Sequence, residues 1–410
     1  MAAAVIREFT ADCVHCGFCL PTCPTYVLWN EEMDSPRGRI HLMDARLDGT
    51  ITLNATVTTH FDRCLGCMAC VSSCPSGVRY DRLIEATRAT VEEEYDRPLG
   101  DRVLRDLLFR VLPYPGRLRA ALALAPLGRV TPLPKRFRPL VSLAPSWRAR
   151  AAAPPVTPAE GEPLARVGLL TGCVQRVVFG DVNAATARVL AADGFEVVAP
   201  PQGCCGALSV HAGRLEEGKR LARELMDALD GVDLVVVNSS GCGSHLKELG
   251  WLLGDERAAA FAEKVRDVGE LLADVPPRAP RHPLPFRVAL QDSCHLRHAQ
   301  RLPLSSLRSL LRIPGLDVVE PAEQDLCCGS AGIYNLVQPD AARELGDRKA
   351  ANVLATGAQA YASANPGCLV QVSQALARAG RRLPALHPIE LVHASIRGVP
   401  AGRLRASARR

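Results

Sequence analysis

Sixteen cysteines in 410 residues, half of them gathered into two short runs, limit what this chain can fold into more than any other feature. Cys13, Cys16, Cys19 and Cys23 precede Pro24, and Cys64, Cys67, Cys70 and Cys74 precede Pro75, so both runs read C-x2-C-x2-C-x3-C-P. In a small secreted protein such a count implies a disulfide framework, with cysteines spread as loop staples. Here they fall in tight clusters. The start, Met1 to Glu8, has no basic region followed by an apolar core and a cleavage site, and no twin-arginine signal precedes Cys13. Metal-bound thiolates in a reducing compartment are the better reading, and the expected localisation is cytoplasmic.

Three thiolates set two residues apart wrap one cubane, while a fourth, after a longer step, reaches the other. This assigns Cys13, Cys16, Cys19 and Cys74 to one 4Fe–4S cluster, and Cys64, Cys67, Cys70 and Cys23 to a second. The proline ends the turn and removes an amide donor where none is needed. Four-cysteine zinc sites use two pairs rather than a triplet plus a single cysteine, so the spacing disfavours zinc. Gly17 and Gly66, beside the second cysteine of each run, permit close backbone approach to a cluster or serve a plain turn. His15 lies between ligands and reads as solvent-facing.

The chain divides into residues 1–90, 91–163, 164–280 and 285–400. From Arg97 to Arg150 there are no cysteines, many prolines, and twelve Lys/Arg against Asp101 and Asp106. Val103, Leu104, Leu107, Leu108, Val111 and Leu112 recur there at helical spacing. Beyond Pro113, the prolines Pro115, Pro126, Pro132 and Pro134 read as breaks, and 151–163 reads as a linker.

The last two regions are an internal repeat. Arg166 to Cys173 matches Arg287 to Cys294, and Cys204, Cys205 and Gly206 match Cys327, Cys328 and Gly329. Gly241 and Cys242 match Gly367 and Cys368, and Glu270 and Leu271 match Glu390 and Leu391. Val167–Leu170, Phe195–Val198 and Leu234–Val237 are expected strands; Ala184–Ala192 and Leu215–Leu229 are expected helices. The alternation predicts small α/β units with parallel strands. In each repeat the cysteines follow a strand, where such sheets place ligands.

A cysteine after a strand, then Cys-Cys-Gly, then Gly-Cys resembles the cysteine-rich CCG domain of heterodisulfide reductase subunits and membrane-linked hydroxyacid dehydrogenases. Two ferredoxin runs, a linker and two CCG domains span almost the whole chain, an order similar to that of the glycolate oxidase iron–sulfur subunits. The stretches Asp34 to Ile40 and Cys74 to Tyr80 strengthen the match. The third subunit of anaerobic glycerol-3-phosphate dehydrogenase shares the same order of parts. The implied fold class is α+β with α/β: a helical and loop ferredoxin-like domain holding two 4Fe–4S clusters, then two tandem small α/β CCG domains.

The fullest CCG motif ends in Cys-x-x-Cys, which in some members holds an unusual iron–sulfur cluster. Here the first repeat ends at Cys242 and His245, and the second at Cys368 and Gln371. Two further metal or cluster sets are therefore open: Cys173, Cys204, Cys205, Cys242 and His245, and Cys294, Cys327, Cys328 and Cys368. The alternative is a retained fold with quiet, reduced thiols. A vicinal disulfide between Cys204 and Cys205 ranks below metal binding, since Gly203 and Gly206 suit backbone approach to a bound group. His211 and His295 are ligand or proton-carrier candidates against an ordinary surface or core role.

The chain shows no Gly-x-Gly-x-x-Gly after a strand, no P-loop and no nucleophile elbow. The resemblance implies that flavoprotein partner subunits hold FAD and oxidise glycolate to glyoxylate. This chain would then pass single electrons to a membrane quinone or other acceptor. Anaerobic glycerol-3-phosphate or D-lactate dehydrogenase, and a heterodisulfide-reductase-like thiol enzyme, are the alternatives. A net charge of +6 and 4% aromatic residues argue against a nucleic-acid partner. No segment has the roughly 20 uninterrupted apolar residues of a spanning helix. The basic segment 97–150 suits peripheral docking on anionic lipid or on an acidic flavoprotein, or is a solvated linker.

Overall fold

A computed structural model describes residues 2–130, 134–142, 144, 151–302 and 311–406. Helices Ala2–Thr10, Pro36–Leu47, Ala55–Asp62 and Tyr80–Glu94 enclose the two cysteine runs around Ile6, Met43, Phe61, Leu83 and Ile84. The stretch Asp34 to Ile40 builds one of these helices. Ser35 caps it by accepting from the Gly38 amide at 3.0 Å. Pro36 fits the first turn, where its missing N–H has no partner anyway. A Cβ on Gly38 would collide with the Glu32 carbonyl, so only glycine passes there.

The basic stretch packs on both repeats. Helix Leu99–Val111 buries Leu104, Leu108 and Phe109 against Ile333, and helix Pro115–Val130 buries Leu118 and Leu122 against Val177 and Val178. Pro126, expected as a break, lies inside the second helix. It removes one ladder bond near the helix end, after turns that Leu118 and Leu122 already anchor. Two cations of the stretch face inward: Arg97 and Arg105 pair with Asp62 at 2.6 and 3.1 Å. Pro132, Arg148 and Arg150, and the side chains of Arg129 and Lys135, lie outside the described residues.

Each repeat forms a small sheet. The first comprises β1 (Val156–Thr157), β2 (Ala165–Leu170), β3 (Phe195–Val198), β4 (Leu234–Val237) and β5 (Val265–Asp267), ordered β1-β3-β2-β4-β5. The second comprises β6 (Phe286–Gln291), β7 (Leu316–Val319), β8 (Ala360–Ser363) and β9 (Ala385–Leu386), ordered β7-β6-β8-β9. Apart from β1, all pairings are parallel. Thus β3-β2-β4-β5 and β7-β6-β8-β9 are the same arrangement twice, as the sequence repeat requires. The strand β1 falls in the stretch expected as a linker. Two β-branched residues close the open edge of β3, with Val156 opposite Val198.

The first expected helix sits within Gly180–Ala192; the second is Leu215–Ala228, with Leu229 as its C-cap. The matched Glu270 and Glu390 turn out to be helix-start devices. Each returns its carboxylate to the backbone amide of the N-cap residue, Asp267 or His387, completing a capping box. Val167, Leu169 and Phe195 of the first sheet share one core with Val288 and Leu290 of the second and Ile389 of helix Pro388–Ile396. In both sheets the first strand of the repeat, β2 or β6, lies between its two successors, which makes its carboxyl end a switch point.

Candidate functional site

The structure brings Cys13, Cys16, Cys19 and Cys74 around one small cavity, and Cys23, Cys64, Cys67 and Cys70 around another. Cys70 lines both, so the two pockets adjoin. The two runs share a backbone pattern: His15 and Gly17 are left-handed in the first, Gly66 and Met68 in the second. Alternating handedness points successive amides inward, a nest suited to the sulfurs of a cluster. Glycine makes this easy at two of the four positions. At His15 the strain is held by Arg37, which donates to the His15 carbonyl at 3.1 Å.

Burial pushes the Cys67 and Cys70 thiols well up, and that of Cys19 up to about 11. Without a cation such sulfurs stay protonated; a cluster supplies the positive charge that makes thiolates of them. Four cysteines and an amide nest at each pocket therefore fit the group. Among the described residues no three His, Cys, Asp or Glu side chains stand close enough to bind a single ion.

The two repeats converge on one cavity of about 250 Å³. All eight of their cysteines line it, together with Cys64 and Cys67. Strand ends deliver them. Cys173 follows β2, Cys204 and Cys205 follow β3, and Cys242 follows β4; Cys294, Cys327, Cys328 and Cys368 follow β6, β7 and β8. Within each quartet the thiols touch in series: Cys173, Cys204, Cys205, Cys242, and likewise Cys294, Cys327, Cys328, Cys368. The Sγ atoms of Cys328 and Cys368 are 3.3 Å apart. Hydrogen bonds from Cys173 and Cys205 hold the Cys204 thiol well below its ordinary range, and Cys294 and Cys328 do the same for Cys327. Cys368 is held below its ordinary range too, by Cys328, so each quartet carries at least one sulfur disposed to be a thiolate.

Several expectations change here. All sixteen cysteines are unpaired, so there is no vicinal disulfide between Cys204 and Cys205. Gly206 and Gly329 face a helix backbone, not a bound group; a Cβ on either would collide with the carbonyl of Gly218 or Ala342. Gly203 has open space around it. His245 does not line the cysteine chamber. Its ring is buried, bonds to the Cys205 carbonyl, and is pushed down to about 3 by desolvation. It sits three residues after Cys242 on the helix Ser240–Lys247, and its ring packs against that of His211, with centroids 6.0 Å apart. His211 and His295 do line the chamber, with ring centroids 5.5 Å apart.

Comparison with known proteins fits this layout. The probable glycolate oxidase iron–sulfur subunit of Bacillus subtilis is 38% identical over 412 residues, covering 93% of each chain. The glycolate oxidase iron–sulfur subunit of Escherichia coli is 39% identical over 406 residues, covering 94% of this chain and 93% of the other. This chain belongs to the family of glycolate oxidase iron–sulfur subunits. The family's two parts map onto the geometry. A 4Fe–4S dicluster domain matches residues 10–78, which contain both cysteine runs, and a cysteine-rich domain matches 167–247 and 288–373, one quartet in each. A crystal structure of a hypothetical protein from Helicobacter pylori has a similar fold, with TM-score 0.53 at 10% identity over 90% of this chain and 74% of that one.

Proposed function

We propose that this chain is the electron-carrying subunit of a 2-hydroxy-acid oxidase. It takes electrons from flavin-bearing partner subunits that oxidise glycolate to glyoxylate and delivers them one at a time to a quinone or similar acceptor. One observation carries the reading: the cysteine sets are contiguous. Cys16 is exposed, Cys70 belongs to both N-terminal pockets, and Cys67 belongs to both the second pocket and the chamber. Leu65, Cys67, Leu326 and Cys327 share one buried cluster, so the second pocket packs directly on the second quartet. A bound iron–sulfur cluster supplies one-electron storage at each set. The surrounding residues position the thiolates and exclude water. The two quartets are proposed to hold further iron, each through its four cysteines and without His245.

Metal and acid-labile sulfide analysis of anaerobically purified chain, with EPR after dithionite reduction, tests this. About eight iron atoms are expected at the N-terminal sets, with more in the chamber. Colourless protein holding zinc would overturn the reading.

A membrane contact is supported by the helical pair on the basic stretch. Leu99, Val103, Leu107, Leu124 and Leu127 project into solvent there, among the exposed Arg102, Arg110, Arg117 and Arg119. Apolar side chains ringed by cations suit the headgroup layer of an anionic bilayer. No described helix is long and apolar enough to cross a membrane. Reversing charge at Arg117 and Arg119 is expected to lower co-sedimentation with anionic vesicles by at least about tenfold, at roughly 1 kcal/mol per charge. Unchanged co-sedimentation sinks the membrane contact alone.

A further inference from the structure

At one buried position behind the cysteine pairs, the first repeat has leucine where the second has lysine. Helices Leu215–Ala228 and Pro339–Ala355 follow the loops of Cys204–Cys205 and Cys327–Cys328, and their registers match. The carbonyls of the preceding Arg214 and Gln338 accept from the amides of Gly218 and Ala342. Gly206 and Gly329 lie against the carbonyls of those same two residues. In this register Leu221 corresponds to Leu345, Ala222 to Gly346 and Met226 to Ala350, all buried. Leu225 corresponds to Lys349. Leu225 is 0% exposed and shares an apolar cluster with Cys204 and Cys205. Lys349 is 1% exposed, and its neighbour Ala350 shares a cluster with Cys328 and Cys368.

A buried ammonium is costly unless an anion answers it. Among the described residues this ammonium makes one hydrogen bond, to a neutral group, the Glu323 carbonyl. The exposed Glu323 carboxylate is taken by Arg348 and Asn352, each at 2.8 Å. Burial pulls Lys349 down from its ordinary range, and the sulfurs of Cys328, Cys327 and Cys368, with the Glu323 carboxylate, act against it.

Holding the loop does not by itself call for a cation. Each loop is pinned by a glutamine, Gln202 or Gln324, whose side chain clasps the end of β2 or β6. It accepts from the Thr171 or Asp292 amide and donates to the Leu169 or Leu290 carbonyl. The first loop stands this way with leucine behind it. The second loop does hold Glu323 at φ 55°, so a clamp on that turn is the competing role for Lys349.

We propose that the Lys349 ammonium answers negative charge on the second quartet and so makes the group held there the easier of the chamber's two to reduce. The inference rests on the reading that both quartets hold iron. Each quartet brings the same set of sulfurs, so their ligands alone give no preference. Net charge close to a cluster is one of the levers that set its potential, and a cation in a water-poor interior acts strongly. Lys349 therefore stabilises the state of the second quartet that carries one more electron. The second quartet is also the one packed on Cys67. An electron crossing there oxidises the second N-terminal set and reduces the second quartet. No bond forms and no proton is needed, because the ammonium is already in place.

The test is a redox titration, followed by EPR, of the iron-loaded full chain and three variants. The second quartet's signal is the one that Cys327→Ser abolishes. Lys349→Met fills the buried volume without charge, and the Glu323 carbonyl keeps its bond from the Leu326 amide at 3.1 Å. Lys349→Gln also removes the charge but keeps a donor for that carbonyl, whereas Lys349→Arg keeps the charge. In the Met and Gln variants the reduced-to-oxidised ratio of the second quartet, at a fixed poise, falls at least about tenfold, or about 59 mV for one electron. Lys349→Arg stays near the wild type, and the other signals do not move. An unchanged second-quartet potential in Lys349→Met overturns the inference. So does a wild-type potential in Lys349→Gln beside a shifted one in Lys349→Met, which makes Lys349 a clamp on the Glu323 turn. Iron lost from both neutral variants and kept by Lys349→Arg makes it a holder of thiolates and overturns the potential-setting role. The reading beneath fails on a different result, a wild-type chain with iron at the N-terminal sets alone.

Discussion

Arg39→Met is expected to destabilise the N-terminal region by about 3–5 kcal/mol, the range for removing one member of a buried ion pair. Arg39 is 1% exposed and Asp34 is fully buried. The guanidinium donates to the Asp34 carbonyl at 2.5 Å, the His60 carbonyl at 2.6 Å and the Thr25 hydroxyl at 3.2 Å, besides facing the Asp34 carboxylate at 3.4 Å. Methionine fills much of the volume but leaves those acceptors bare. His60 and Arg63 would still bond to Asp34, at 2.9 and 2.7 Å, which keeps the loss at that level and not higher.

The damage reaches the second pocket, because Thr25 also touches Cys23 Sγ at 3.2 Å and Arg39 itself lines that pocket. Denaturation followed by cluster absorbance should show both a lower midpoint and less iron retained at the second set. Arg39→Lys should recover little, since an ammonium cannot reproduce the planar fork. Arg7→Ala is the control: its pair with Asp48 is exposed at both ends and worth under about 1 kcal/mol. A midpoint for Arg39→Met within experimental error of the wild type would dispose of this account.

The same stretch shows where sequence reasoning stops. The order Asp34, Ser35, Pro36, Arg37, Gly38, Arg39 marks a helix start through its cap and proline, which act over a few residues. That Arg39 points inward and Arg37 outward depends on where the helix packs, and no local rule supplies that. The strands β3 and β4 were legible to the residue, because a short apolar run bounded by turns is a local signal. The strand β1 was not, because two residues at a sheet edge exist only once β3 is there to pair with.

The cysteine spacing likewise implies which residues can share a cluster, since cubane geometry acts over short loops. Nothing in it indicates that two quartets more than a hundred residues apart would open onto one chamber beside Cys67. That follows from two sheets sharing a core with their switch points facing inward. His245 lies outside the chamber for a related reason: its spacing after Cys242 matches a motif, while tertiary packing seats its ring against His211.

The chamber gives the second large expectation. In the double variant Cys204→Ser, Cys327→Ser, all iron above about eight atoms per chain should be lost, while the N-terminal EPR signal persists. The two positions are chosen because each is an interior sulfur of its quartet, in contact with two neighbours and held well below its ordinary range. Serine keeps the size and removes the soft ligand. The N-terminal sets should be spared, because Cys64 and Cys67, which line the chamber beside Cys327, keep their own sulfurs, and serine preserves the packing of residue 327 on Cys67. If the wild type itself binds only about eight iron atoms and the variant matches it, the quartets are reduced thiols on a retained fold. The chamber then has no part in storing electrons, and the path ends at the second N-terminal set. If the variant loses nearly all its iron, the chamber and the N-terminal sets assemble as one unit, and the order of sets from Cys16 inward must be re-derived from which cysteine replacement empties which site.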